Sequence, residues 1–271
     1  MPDRYAVIGN PVAHSRSPWI HARFAAQTSQ TLEYSTLLAP PDGFAATADE
    51  FRAHGGKGLN VTVPFKEAAY AFAETLSARA RSARAVNTLL FADGVHGDNT
   101  DGCGLTRDLD INLRFPVAGR RVLLLGAGGA ARGVLLPLLE AGPAALTVAN
   151  RTPEKASRMV ADLPETQRGL PRSCGFADLA GERFDLVINA TSSGLSDAPL
   201  PLPARLFTRE SLAYEMVYGR ETAFMRVARA EGAYHVADGL GMLVEQAAES
   251  YFLWRGVRPS TAPVLAELRA G

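Results

Sequence analysis

The chain has 271 residues, enough for one large α/β domain or two ordinary ones. Its 28 Lys plus Arg balance 28 Asp plus Glu, which leaves no global basic field for nucleic acid or anionic lipid. A 47% hydrophobic content gives a proper core, and two cysteines, Cys103 and Cys174, exclude a disulfide framework and a cysteine-rich zinc site.

The opening MPDRYAVIGNP lacks the basic-then-apolar order of a signal peptide. The most apolar region, VLLLGAGGAARGVLLPLLEAG, is broken by Arg132, Pro137 and several glycines and is no membrane span. A soluble cytoplasmic protein is expected. RYAVIGN reads as a strand, and SPWIHARFAAQTS as a helix with Ser17 as N-cap and Pro18 at its first position. LEYSTLLA is a second strand, GFAATADEFRAHGG a helix, and GLNVTVP a third strand that stops at Pro64 and delivers Lys66. EAAYAFAETLSARARSA follows as a helix and NTLLFAD as a strand. This alternation predicts a parallel or mostly parallel sheet.

A second unit begins near residue 102. It reads as strand RVLLL, a glycine turn, an apolar helix, strand ALTVANR, helix PEKASRMVADL and strands FDLVINAT and LAYEMVY. Helix ETAFMRVARAEG, strand AYHVAD, the long amphipathic helix GLGMLVEQAAESYFLWRG and a last helix complete the chain. Two lobes are expected, with the ligand site in the crevice between them.

Residues 126–131, GAGGAA, match G-x-G-x-x-G/A with Ala131 in third place. The turn follows a strand and opens a helix, the context in which such glycines let a pyrophosphate approach the helix N-terminus. An NAD-preferring site carries a carboxylate about 20 residues further on. Here stand Asn150, Arg151 and Thr152, with Lys155 shortly after. Arg151 can grip a ribose 2′-phosphate with a fork of donors, so NADP is favoured. Thr191 and Ser192 lie just beyond strand FDLVINA, where the crevice of an open α/β sheet belongs.

Hydride transfer to a ketone leaves an alkoxide that a positioned acid must protonate. Lys66 is the candidate acid, and Asp101 in GDNTDGCG is the carboxylate to aim it. Asn60, Thr62 and Asn87 are neutral groups suited to several hydroxyls, and Ser15 and Ser17 in HSRSP can take a carboxylate. Each of these has a bland alternative, a solvated strand face or an ordinary helix cap.

In order along the chain, NPVAHSRSP, GLNVTVPFK, AVNT, GDNTDGCG, GAGGAAR, NRT, NATSSG, EMVY and DGLGMLVEQAA together resemble shikimate dehydrogenases. The resemblance implies an N-terminal α/β substrate lobe (1–101), a Rossmann NADP lobe (102–237) and C-terminal helices (238–271) that pack back on the first lobe. It implies NADPH-dependent reduction of 3-dehydroshikimate to shikimate, with Lys66 and Asp101 as the catalytic pair. Ser15 and Ser17 would hold the substrate carboxylate. Asn60, Thr62, Asn87 and Asp101 would bind its hydroxyls, and Tyr218 and Gln246 would complete the pocket. Cofactor contacts would come from Gly126, Ala127, Gly128, Gly129, Ala130, Asn150, Arg151, Thr152, Thr191, Val217 and Gly239, with Lys155 in the place of a frequent second arginine. Glu215 stands where many members have Asp, and the proline often found after the tyrosine is missing.

His14 beside the serine pair reads as a loop residue, and the other histidines show no metal-ligand spacing. Trp19 and Phe24 read as core. A quinate/shikimate paralogue is the nearest alternative, and a silent NADP-binding sensor is one from another class. A methylene-tetrahydrofolate dehydrogenase does not account for HSRSP or GLNVTVPFK. Oligomeric state is left open, with a homodimer as a candidate.

Overall fold

The structure is a computed structural model that describes residues 2–196 and 198–270. It divides into two compact units, one made of the chain up to Gly104 together with Leu243 onward, the other of Leu105–Met242.

The first unit opens with β1 (Asp3–Gly9), α1 (Ser17–Gln27), β2 (Leu32–Leu38), α2 (Phe44–Ala53) and β3 (Gly56–Val61). Strand β1 lies between β2 and β3, parallel to both, and its residues Tyr5 to Ile8 are all buried. That placement explains why it reads as a continuous apolar run and not as an alternation. Helix α1 starts differently from the expectation. Arg16 holds the N-cap position without a side-chain bond, and the Ser15 hydroxyl accepts the Ser17 N–H at 3.2 Å.

Residues 67–83 do not form the single helix expected. Helix α3 (Lys66–Phe72) ends where Ala73 turns extended, β4 (Thr75–Leu76) follows, and the Ser77 hydroxyl accepts the Ala80 N–H to start α4 (Ala78–Ala83). Strands β5 (Thr88–Ala92) and β6 (Gly94–Asp98) form an antiparallel hairpin, and β5 is also antiparallel to β3. The sheet, in order β2-β1-β3-β5-β6-β4, is mixed: three of its five pairings are parallel, as expected, and the two made by β5 are antiparallel. Strand β6 leaves little trace in sequence because Gly94, Gly97 and Asp98 carry little strand propensity. Ile8, Phe44, Leu59, Phe65 and Leu89 are among the side chains of this core.

Helix α5 (Asp101–Arg107) runs on into a π-helical turn over Asp108–Asn112. The second unit continues with β7 (Arg121–Leu125), α6 (Gly129–Glu140), β8 (Ala145–Asn150), α7 (Pro153–Ala161), β9 (Pro171–Gly175) and β10 (Leu186–Asn189). After α8 (Ser193–Ser196) come β11 (Leu212–Glu215), α9 (Ala223–Ala230) and β12 (His235–Ala237). All neighbours in the sheet are parallel, in the order β12-β11-β10-β7-β8-β9. Counted from β7, this is the 3-2-1-4-5-6 arrangement of a dinucleotide-binding sheet, so the Rossmann expectation holds. Strand β9 is an addition to the expected elements. The order reverses between β7 and β10, which puts a crevice beyond the carboxyl ends of those two strands.

Helices α10 (Leu240–Arg255) and α11 (Ala262–Ala270) close the chain and belong to the first unit from Leu243 on. The Trp254 indole stacks on Tyr5 with ring centroids 4.6 Å apart and donates to the Leu89 carbonyl at 3.0 Å. Gly58 makes room for it, since a β-carbon there would stand 2.5 Å from the indole nitrogen. Among the described residues no helix is long and apolar enough to cross a membrane.

His21 on α1 is fully buried and stacks on Tyr34 at 4.2 Å, and neither ring nitrogen makes a hydrogen bond. Burial lowers its pKa from 6.5 to about 3, with the nearby Asn60 side chain a smaller opposing influence. The unfolded chain thus takes up a proton that the folded chain refuses, and stability falls with acid between those two values. From pH 7 to pH 5, denaturant titrations of the native chain should lose about 2 kcal/mol more than those of His21→Leu. Parallel pH dependence in both proteins would refute this.

Candidate active site

Phe65, buried at the N-cap of α3, roots the loop that leaves β3: its N–H reaches the Thr62 carbonyl, and the Thr62 N–H bonds to the Ile8 carbonyl. Lys66 follows as the first residue of α3, and the Val86 N–H bonds its carbonyl at 2.9 Å. Its ammonium lies 2.5 Å from Asp101 Oδ2, with side-chain exposures of 23% and 8%. Asp101 opens α5, where a carboxylate suits the positive helix end. Its backbone N–H bonds to Asn99 Oδ1, and Asn99 in turn donates to the Ala85 carbonyl. The second oxygen, Asp101 Oδ1, accepts from Asn87 Nδ2 at 2.8 Å. The two residues that sequence singled out as an acid–base pair therefore meet, with Asn87 as the third member.

Gln246 on α10 joins them: its Oε1 accepts from Asn87 and from the Thr100 hydroxyl, both at 3.3 Å. Asn60 is buried, donates to the Ser250 hydroxyl at 2.9 Å and accepts from Tyr34 at 2.7 Å. Burial pushes the Tyr34 phenol well up, with the Ser17 side chain pulling the other way, which places Ser17 beside the same network. Ser15 is half-buried and bonded to the Ser17 N–H, and Thr62 lies with its methyl against Gly9. Neither makes a side-chain hydrogen bond to the Lys66 cluster among the described residues. Thr88, Thr100 and Ser250 were not singled out from sequence, yet all three are buried among these groups. Ser250 follows Gln246 by four residues on one helix, a periodicity that could have revealed it.

In the second unit the glycine turn leaves β7 at Gly126, with φ +113 and its N–H on the Ala149 carbonyl. A β-carbon there would meet the Ala190 carbonyl oxygen at 2.9 Å, across the point where strand order reverses. Only glycine fits. Gly128 is the N-cap of α6, and no side chain caps the helix. At Gly128 and Gly129 an added β-carbon would meet nothing within 4 Å. Packing within the protein thus does not require those two glycines, whereas a phosphate seated on the uncapped N–H groups of Gly129, Ala130 and neighbours would. Beyond β8, Asn150 donates to the Thr152 carbonyl at 2.9 Å and shapes the turn, while Arg151, Thr152 and Lys155 are exposed. The residues present fit a dinucleotide with a phosphorylated ribose.

Beyond β10 and β11, Thr191 bonds to Asn189 Oδ1 through both its N–H and its hydroxyl, and Ser192 is exposed. Asn189 donates to the fully buried Glu215, which also accepts the Thr222 hydroxyl and the Val217 N–H. Burial raises the Glu215 pKa, and these donors oppose it. Gly239 bonds through its N–H to the Val217 carbonyl, and a β-carbon there would collide with the Met216 backbone. Thr191, Val217 and Gly239 thus lie in loops joined by one carboxylate. Tyr218 is half-buried in the same stretch.

Comparison with known proteins agrees with this layout. The family model described as the shikimate dehydrogenase substrate binding domain matches residues 7–89. The shikimate / quinate 5-dehydrogenase model matches 111–196, and the shikimate 5′-dehydrogenase C-terminal domain matches 239–269. A Methylobacillus flagellatus protein named shikimate dehydrogenase (NADP(+)) is 62% identical over 99% of both chains. The chain belongs to the shikimate dehydrogenase family. Among solved structures, an Ael1 enzyme from Pseudomonas putida shares 49% identity, with 98% of each chain covered and a TM-score of 0.93. A Thermus thermophilus shikimate 5-dehydrogenase in complex with NADP(H) and shikimate shares 36%, with 99% of each chain covered and a TM-score of 0.86.

Gly128 offers a clean test of the family's cofactor turn in this chain. Gly128→Ala should leave the thermal midpoint in place while weakening NADP binding about tenfold or more, because only a ligand meets the added methyl. Fluorescence titration with NADPH reads the affinity, and unchanged binding would show that the turn does not approach the phosphates.

Proposed function

We propose that this chain catalyses the reversible NADPH-dependent reduction of 3-dehydroshikimate to shikimate, a step of aromatic amino-acid biosynthesis. The observation that carries the reading is the Lys66 ammonium on Asp101 Oδ2 at 2.5 Å, in a chain 62% identical to an NADP-dependent shikimate dehydrogenase. A non-catalytic cofactor sensor would have no use for such a pair.

Bound NADPH supplies a hydride to the carbonyl carbon of the substrate. Lys66 donates a proton to the carbonyl oxygen as the bonding electrons move onto it, and stabilises the developing negative charge. In the oxidation direction the neutral amine of Lys66 takes the hydroxyl proton. Asp101 keeps the amine aimed, and Asn87 keeps Asp101 aimed. The hydroxyls of Ser15 and Ser17 receive the substrate carboxylate, and Asn60, Thr62, Asn87, Asp101, Tyr218 and Gln246 read its hydroxyls. Asn60 can spare one amide hydrogen, whose present contacts are 3.3 Å long.

On the cofactor side, the backbone of Gly126, Ala127, Gly128, Gly129 and Ala130 holds the pyrophosphate. Asn150, Arg151, Thr152 and Lys155 hold the phosphorylated ribose, and Thr191, Ser192, Val217 and Gly239 supply the remaining contacts. Cytoplasmic location follows from a step between small polar metabolites, and a homodimer is the assembly we carry forward.

The direct test follows NADPH absorbance with 3-dehydroshikimate, and NADP or NAD reduction with shikimate against quinate. Equal turnover of quinate would replace this reading by the broader quinate/shikimate type. Lys66→Ala should lower kcat by roughly 10²–10⁴ while KM moves far less, and unchanged turnover removes Lys66 from the chemistry. Arg151→Ala should raise KM for NADPH and narrow its advantage over NADH, a ratio that stays put if Arg151 does not hold the 2′-phosphate.

A further inference from the structure

Outside the groups already assigned, the buried hydroxyls of Thr88 and Ser250 occupy an unusual position. Thr88 sits directly across the sheet from Asn60 and from Asp98. Ser250, on α10, is fully buried with its hydroxyl 2.9 Å from Asn60 Nδ2 and 2.8 Å from Thr88 Oγ1. Thr88 Oγ1 is in turn 2.9 Å from Asn87 Oδ1.

The direction of the bonds nearest the carboxylate follows from it. Asp101 Oδ1 can only accept, so the amide nitrogen of Asn87 faces it and Oδ1 of Asn87 faces the other way. The Thr100 N–H, 2.8 Å from that Oδ1, fixes the same orientation. Thr88 then donates to Asn87 Oδ1, and its oxygen is left to face the Ser250 hydroxyl at 2.8 Å. The Ser250 hydroxyl accepts from the Asn60 amide and has the Thr88 oxygen at 2.8 Å and the Gln246 carbonyl at 3.1 Å as acceptors for its one proton, while the Asn60 oxygen takes the Tyr34 hydroxyl at 2.7 Å. The result is a connected hydrogen-bond chain through Tyr34, Asn60, Ser250, Thr88, Asn87 and Asp101, ending on the oxygen opposite Lys66.

We infer that Thr88 and Ser250 are positioning residues of the active site, which fix the amide directions of Asn60 and Asn87 and through Asn87 the aim of Asp101. This rests on Lys66 and Asp101 being the acid–base pair. A small error in that aim is costly, since misplacement of a catalytic group by about 1 Å can cost about 10²-fold in rate.

Thr88→Val removes the hydroxyl and keeps the shape. The groups it deserts retain other partners, Ser250 the Gln246 carbonyl at 3.1 Å and Asn87 Oδ1 the Thr100 N–H, so the fold should survive. The expected result is a kcat about tenfold lower with KM for NADP within about twofold of the native value, and a return toward native kcat in Thr88→Ser. Ser250→Ala should act in the same direction, and the double variant should lose less than the sum of the two, because both break one chain. Native kcat in Thr88→Val, or an equal loss in Thr88→Ser, overturns the inference. Should Thr88→Val fold poorly, Tyr34→Phe breaks the chain at its far end, and native kcat there overturns it as well. An inactive native enzyme would instead overturn the proposed reaction. Loss in the Thr88 and Ser250 variants of an active enzyme that Lys66→Ala silences supports the hydrogen-bond chain.

Discussion

The ion pair between Lys66 and Asp101 is the interaction on which the first unit's chemistry depends, and it is not a comfortable one to bury. Taking a carboxylate and an ammonium out of water costs several kcal/mol each, and mutual attraction offsets this only when remaining lone pairs and protons are satisfied. Here Asp101 is 8% exposed, and its second oxygen and its own N–H are both engaged. Lys66 stays 23% exposed, open enough to exchange protons with what enters from outside. The asymmetry suits proton transfer, because the carboxylate is fixed while the ammonium, on a flexible stem, delivers.

The second unit solves a different problem with one buried carboxylate. Loops that leave β10 and its neighbour β11 lie on one side of the switch point, and loops are the least rigid parts of a parallel sheet. Glu215 ties Asn189, Val217 and Thr222 to a single point, and Asn189 passes the constraint to Thr191. Gly194 lies so close to Glu215 and Val217 that a β-carbon would stand 2.8–2.9 Å from them. The glutamate thus closes the network from a fully buried position. Its raised pKa shows the cost of burial, which the three donors only partly relieve.

What could be read from sequence was what short motifs carry. The glycine turn, the basic end of β8 and the lysine after Pro64 each place chemistry within a few residues, and the structure keeps Lys66 and Asp101 together. What could not be read depends on distance along the chain. Asn60 finds Ser250 across 190 positions, and Trp254 finds Leu89 across 165. The break of residues 67–83 into two helices is hidden because alanine-rich sequence favours helix everywhere, and only pairing of Thr75–Leu76 with His96–Gly97 overrides it. Ser17 looks like a cap in sequence, but Ser15, two residues earlier, supplies that bond.

These distances explain why the last helices belong with the first unit. Helix α10 contributes Gln246 and Ser250 at its buried face, but their depth is set further along, at Tyr251, Trp254 and Arg255. Tyr251 bonds to Thr28 at 2.6 Å, Trp254 reaches Leu89 through the gap left by Gly58, and Arg255 pairs with Asp3 and Gln30. A methyl at Gly58 would press on the indole and so on Ser250, which lies one helical turn before Trp254 and bonds to Asn60 and Thr88. Packing that touches no substrate therefore sets the orientation of two amides, and those amides set the carboxylate that aims the lysine.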